Sequence, residues 1–175
     1  MARPIWHLLS ALPPTVLALW RGRPLAALAA AGAAVAIDID HLVDWSLNGG
    51  REDYSRRIVV PLHGWEFPLM LMALALAPAL DDKRRAAMAA LAGGWACHLL
   101  LDYLVNRPQT PLGYSLLRRA CVRFERRACG WLPVAEWRLV YGAVHRAAPR
   151  EALAAGALGA ALSLIGAVPS CLGGR

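Results

Sequence analysis

The chain has 175 residues, enough for one domain, and 58% of them are hydrophobic, above the roughly 45–50% usual in soluble globular proteins. That surplus is more than a small soluble core absorbs and favours a bilayer, with a soluble all-helical bundle as the alternative. The formal charge of +7 would suit nucleic acid in a soluble protein, but the arginines cluster between apolar runs, which favours anionic lipid headgroups and disfavours nucleic acid.

The apolar pattern predicts an all-α polytopic membrane bundle of four to five helices in a single domain over 1–175, with helices at about 4–20, 24–44, 58–80, 86–106 and 150–170. The longest of these runs approach the ~20 residues that cross a hydrocarbon core. In the first, Pro13 and Pro14 are expected to bend or break the helix. Together with Arg21 and Arg23 they also argue against a secretory signal peptide. The second ends in Asp38-Ile39-Asp40-His41-Leu42-Val43-Asp44-Trp45, an acidic end that belongs near the interface, where Trp45 is at home.

His63 and Glu66 fall near the start of the third segment, and His98 and Asp102 near the end of the fourth. The connection 107–149 is basic and reads as interfacial. Leu116, Leu117, Ala120, Cys121, Phe124 and Ala128 recur at helical spacing opposite Arg118, Arg119, Arg123, Arg126 and Arg127, which predicts an amphipathic helix over 115–128 with its arginines toward lipid. A second such helix is predicted through Trp137, Val140, Tyr141 and Val144, with Glu136, Arg138 and Arg146 set against them. Cys97, Cys121, Cys129 and Cys171 form no C-x-x-C pair, so neither a disulfide framework nor a thiolate zinc site is expected.

Five crossings would divide the Lys and Arg residues twelve to six, with Arg150 left at a boundary. The N-terminus, the 45–57 loop and the 107–149 connection carry the larger share, which puts that face in the cytoplasm by the positive-inside rule. The same face collects His7, Asp38 to Asp44, His63, Glu66, His98 and Asp102. His98 and Asp102 are one turn apart on one helix face, and His63 and Glu66 are three residues apart. In a regular α-helix Asp38 and His41 share a face, whereas Asp38 and Asp40 diverge by about 200°. Both aspartates reach one site only if the helix changes there. A carboxylate costs roughly 2.5–3.5 kcal/mol at the centre of a membrane helix, so several together call for pairing or a cation. Imidazole with carboxylate suits zinc, with manganese or iron as alternatives.

Trp6-His7-Leu8-Leu9, Asp38-Ile39-Asp40-His41, His63, His98-Leu99-Leu100-Leu101-Asp102 and Thr110-Pro111-Leu112-Gly113 together resemble the bacterial inner-membrane metal-dependent hydrolase family, including its LexA-binding members. The resemblance runs in order from residue 6 to about 117. It implies metal-site positions at His7, Asp38, Asp40, His41, His63, His98 and Asp102; beside it, Glu66 reads as a replacement ligand or general base, and Glu66 and His41 are the candidate catalytic groups. Two features depart from the family pattern: Ala36-Ile37 stands where a proline usually precedes D-x-D-H, and His63 stands alone where the family often has two histidines.

The resulting expectation is hydrolysis of an ester or phosphoester, lipid-like in character, through a metal-activated water at the inner membrane. Two alternatives stand beside it. One is a non-enzymatic membrane protein holding a structural metal or a hydrogen-bonded His/Asp network. The other is an ion-coupled carrier, disfavoured because its groups should continue through the midplane.

Overall fold

The computed structural model describes residues 4–47, 49, 57–106, 108–131 and 148–166. Its elements in chain order are α1 (Pro4–Trp20), α2 (Pro24–Ala36), a 3₁₀ turn (Ile37–Asp40), α3 (His41–Leu47), α4 (Glu66–Ala75), α5 (Asp82–Asn106), a second 3₁₀ turn (Pro111–Tyr114), α6 (Leu116–Cys121) and α7 (Ala148–Gly166). No strand occurs among the described residues; an isolated bridge pairs Arg57 with Glu125. The architecture is all-helical. Helix α5 is the hub, packing against α1, α2, α4 and α7, while α1 also packs against α2 and α7.

Small residues set the distances between these helices. The buried face of α2 is Ala26, Ala27, Ala30, Ala33 and Ala34, and it meets α5 where Gly94 lies against the Ala30 backbone. A Cβ added at Gly94 would stand 2.8 Å from the Ala30 carbonyl carbon and closer still to its oxygen. On the α7 side, a Cβ at Gly159 would collide with Cys97 and come within 2.9 Å of the Gly93 carbonyl oxygen. Gly156 performs the same service against α1, at Ser10 and Pro13.

Gly94→Ala is therefore expected to destabilise the protein by about 1–3 kcal/mol through overpacking, although alanine favours a helix by about 1 kcal/mol over glycine. Thermal unfolding in detergent measures this, and a melting temperature at or above wild type would refute the close approach of α2 and α5.

Large apolar side chains lie mostly on the outside. Leu12, Val16 and Trp20 on α1, Leu25 and Leu28 on α2, Leu69 and Met70 on α4, and Leu153 and Leu158 on α7 are all exposed. Small inside and large outside is the packing that lipid favours, and in water it would leave an extensive apolar surface. Two helical stretches, Pro24–Leu47 and Asp82–Asn106, are long and apolar enough to cross a membrane.

Three predicted elements differ from the structure. Of the third segment, predicted over 58–80, only Glu66–Ala75 is α-helical, and ten residues span about 15 Å, half a hydrocarbon core. Residues 58–60 lie outside any helix, in keeping with the β-branched Ile58-Val59-Val60 and the restriction before Pro61. The amphipathic helix expected over 115–128 stops at Cys121, and Arg123 and Phe124 take positive φ of 54° and 60°. Arg119 and Arg126 are buried instead of facing lipid. Helix α1 continues through Pro13 and Pro14.

The second predicted interfacial helix, through Trp137 and Val144, lies outside the described residues, as does Cys171. Cys97, Cys121 and Cys129 are free thiols.

Candidate metal centre

Four helix ends and one loop converge on a single buried cluster. His7 comes from the first turns of α1, Asp38 and Asp40 from the 3₁₀ turn after α2, and His41 from the start of α3. His98 and Asp102 come from the last turns of α5, and His63 from the strap 57–65 that precedes α4. His7, His63, His98, Asp40 and Asp102 are each at most 2% exposed, a level that paired or metal-bound polar groups tolerate and lone ones do not.

The distances within the cluster are short. His63 Nε2 lies 3.0 Å from His98 Nε2, 3.3 Å from Asp102 Oδ2 and 3.6 Å from Asp38 Oδ1. His98 Nε2 lies 3.5 Å from Asp38 Oδ1 and 3.7 Å from Asp102 Oδ2. His7 Nε2 is 3.6 Å from Asp102 Oδ1, with its ring stacked on His98 at 3.8 Å between centroids. His41 Nε2 reaches Asp38 Oδ1 at 3.4 Å.

Two of the imidazoles are oriented from behind. His98 Nδ1 is 2.8 Å from the Ala34 carbonyl oxygen, which only accepts, so Nδ1 carries the hydrogen and Nε2 turns its lone pair inward. His63 Nδ1 donates to Asp40, 3.1 Å away, and its Nε2 also points inward. Two lone pairs meeting at 3.0 Å require a cation between or beside them, a proton or a metal ion. Burial opposes charge on His63, yet hydrogen bonds to Asp102, Asp38 and Asp40 hold its proton affinity well above the ordinary histidine range.

The donor set fits a divalent ion. Four N or O donors about 2.0–2.1 Å from one tetrahedral ion stand roughly 3.3 Å from one another, and the separations above bracket that value. Both ring nitrogens of His7 and Oδ1 of Asp102 are buried without a hydrogen-bond partner, at a cost of about 1–3 kcal/mol each if left so. A carboxylate behind a histidine, as Asp40 stands behind His63, is the usual outer support of a metal-bound imidazole. His7, His98 and Asp102, and Asp38, His41 and His63, are two trios that could each hold an ion.

The 3₁₀ turn resolves the expected divergence of Asp38 and Asp40. They sit on opposite edges of the His63 ring, Asp38 beside Nε2 and Asp40 beside Nδ1, so only Asp38 joins the cluster directly. Asp40 also accepts from the Leu62 amide at 2.7 Å, and Asp44, one turn on, accepts from the Val59 amide at 2.7 Å. Both aspartates thus fasten the strap.

Glu66 is employed elsewhere. Its oxygens accept from Ser115 Oγ at 2.6 Å and from the Leu116 and Leu117 amides at 3.0 and 3.2 Å, at the N-terminus of α6. Burial would raise its carboxyl, but these hydrogen bonds hold it below its ordinary value.

Arg119 was not among the sequence candidates, yet it is fully buried and holds the strap directly. Its Nη1 donates to the Val60 carbonyl at 3.0 Å and its Nη2 to the His63 carbonyl at 2.6 Å. The indole of Trp95 donates to the Leu62 carbonyl at 3.0 Å, and the Ile58 and Trp65 amides donate to Phe124 and Tyr114. The one sequence signal for this loop-to-loop clasp was Ser115, whose side chain caps α6 by accepting from the Arg118 amide.

Comparison with protein-family models, curated proteins and solved structures finds no match to this chain.

Proposed function

We propose that the chain is a membrane-embedded, divalent-metal-dependent hydrolase acting on an ester or phosphoester of an amphiphilic substrate. The observation that carries this reading is the inward convergence of His7, His63, His98, Asp38 and Asp102, with two imidazoles oriented from behind by Asp40 and the Ala34 carbonyl. In this reading zinc is favoured, with manganese or iron as alternatives. A divalent ion supplies Lewis acidity and brings the pKa of a water it binds toward ~7.

The chain's own residues supply the rest. His63 and His98, their Nδ1 hydrogens committed, turn their Nε2 atoms inward, and an ion bound there would take the place of the Nε2 proton of His63. Asp102 brings negative charge from α5. Asp38 and His41, partly exposed where the others are sealed, form the mouth, flanked by exposed Ile39 and Leu42. An apolar rim beside a charged mouth suits a substrate with an apolar tail, presented from lipid. Glu66 acts here as a positioning residue that ties α4 to α6.

The positive-inside count supports an inner-membrane placement with this mouth on the cytoplasmic side, where the exposed arginines of 118–127 meet anionic headgroups. The test uses detergent-purified protein with zinc or manganese and chromogenic carboxyl and phosphate esters in mixed micelles. Hydrolysis that chelator abolishes and metal restores is expected. Metal-loaded, folded protein with no activity on either ester class would favour the non-enzymatic binding role instead.

A further inference from the structure

We infer that the cluster holds two divalent ions at adjacent sites, an inference that rests on the metal-dependent reading above. The inner site takes His7, His98 and Asp102; the outer takes Asp38, His41 and His63. In each trio the ligand atoms lie within 4.8 Å of one another.

Asp102 is the first reason. It stands within reach of both trios: Oδ1 lies 3.6 Å from His7 Nε2, and Oδ2 lies 3.3 Å from His63 Nε2 and 3.7 Å from His98 Nε2. A carboxylate that reaches histidines of both trios is placed to bridge two cations. Asp38 Oδ1 stands between the rings in the same manner, 3.5 Å from His98 Nε2 and 3.4 Å from His41 Nε2.

The second reason is the number of donors. Four imidazole Nε2 atoms and the carboxylates of Asp38 and Asp102 face the cluster, whereas a catalytic zinc site uses three protein ligands and keeps one position open. One such ion would leave several buried donors unused, and the orphaned atoms of His7 and Asp102 lie on the inner side. An ion on Asp38, His41 and His63 alone would not satisfy them.

Charge gives the third reason. Asp38, Asp40 and Asp102 all lie against histidine rings. One dication leaves these three carboxylates net negative in a water-poor site, and two leave a single positive charge. That surplus suits a phosphoester anion arriving at the mouth.

The two sites differ in access. His7, His98 and Asp102 are sealed, while the side chains of Asp38 and His41 are 29% and 15% exposed. The outer ion is therefore the one that meets substrate and the first that a chelator removes.

The experiment loads full-length protein in detergent with zinc, dialyses it, and counts metal per chain by mass spectrometry for wild type, His41→Ala and His7→Gln. Two equivalents are expected in wild type, one in each variant, and stepwise release to chelator. Cobalt substitution adds a second readout, because adjacent cobalt ions couple magnetically. A wild-type value of one equivalent, reached at saturating zinc, overturns the two-ion site and leaves the single-ion hydrolase standing. A value of zero in folded protein overturns both. The wild-type count decides the matter even if a variant fails to fold.

Discussion

Purified His63→Ala is expected to lose the outer of its two divalent ions, a reduction in affinity at that site of more than about 100-fold, while remaining inserted and helical. His63 is in short contact with His98, Asp38, Asp40 and Asp102 together, so its removal takes a donor from the centre of the cluster. Asp40→Asn keeps that donor and weakens only its support, for which a loss of about 10–100-fold is expected. His98→Ala and Asp102→Asn each remove a direct ligand of the inner ion and should lose that ion to a similar degree.

Metal content read beside melting temperature, with and without chelator, separates these effects from misfolding. Were the cluster only a hydrogen-bonded network, the variants would melt lower whether or not metal was supplied. Full metal occupancy in folded His63→Ala, His98→Ala and Asp102→Asn proteins would remove the metal centre from consideration.

The second large effect is expected at Arg119. Arg119→Met should cost about 2–6 kcal/mol, since each buried carbonyl deprived of its donor costs about 1–3 kcal/mol and the guanidinium serves those of both Val60 and His63. Because the His63 carbonyl is one of the two, metal affinity should fall along with stability. Arg119→Lys keeps the charge without the planar fork and should fall between wild type and Arg119→Met on both measurements. Arg127, exposed in the turns that follow α6, provides the control: Arg127→Met should change stability by less than about 0.5 kcal/mol. Equal melting temperatures and metal affinities for Arg119→Met and wild type would show that the strap is held by other means.

Arg119 also marks where the sequence stopped being legible. At helical spacing it is one of five arginines opposite an apolar stripe, and nothing local separates it from Arg118 or Arg123. Its burial comes from two carbonyls 56 and 59 residues away, which periodicity cannot register. The strap was misread for a related reason: Ile58 to Leu62 are as apolar as a membrane helix, and hydropathy is blind to backbone conformation. The β-branched run ahead of Pro61 was the signal that carried that information.

The cluster itself was legible because ionisable residues are costly in lipid and fall at helix ends. Placing His7, Asp38, His63, His98 and Asp102 on one side from the apolar runs alone anticipates their meeting. The roles of Asp40 and Glu66 depend on which way a backbone turn aims each carboxylate, and spacing leaves that open.

The strap has a consequence for the order in which the protein assembles. Its hydrogen bonds run to Asp44, Asp40, Trp95 and Arg119, partners separated from it by 15, 22, 33 and 59 residues. Contacts so distant along the chain form slowly, because loop closure precedes their reward. Helices α1, α2, α5 and α7 can come together through their alanines and glycines first, with His63 joining only when residues 108–131 have docked. Refolding monitored by helicity should therefore run ahead of refolding monitored by metal capture, and a chain interrupted between those two events would be helical, compact and unable to bind the ion.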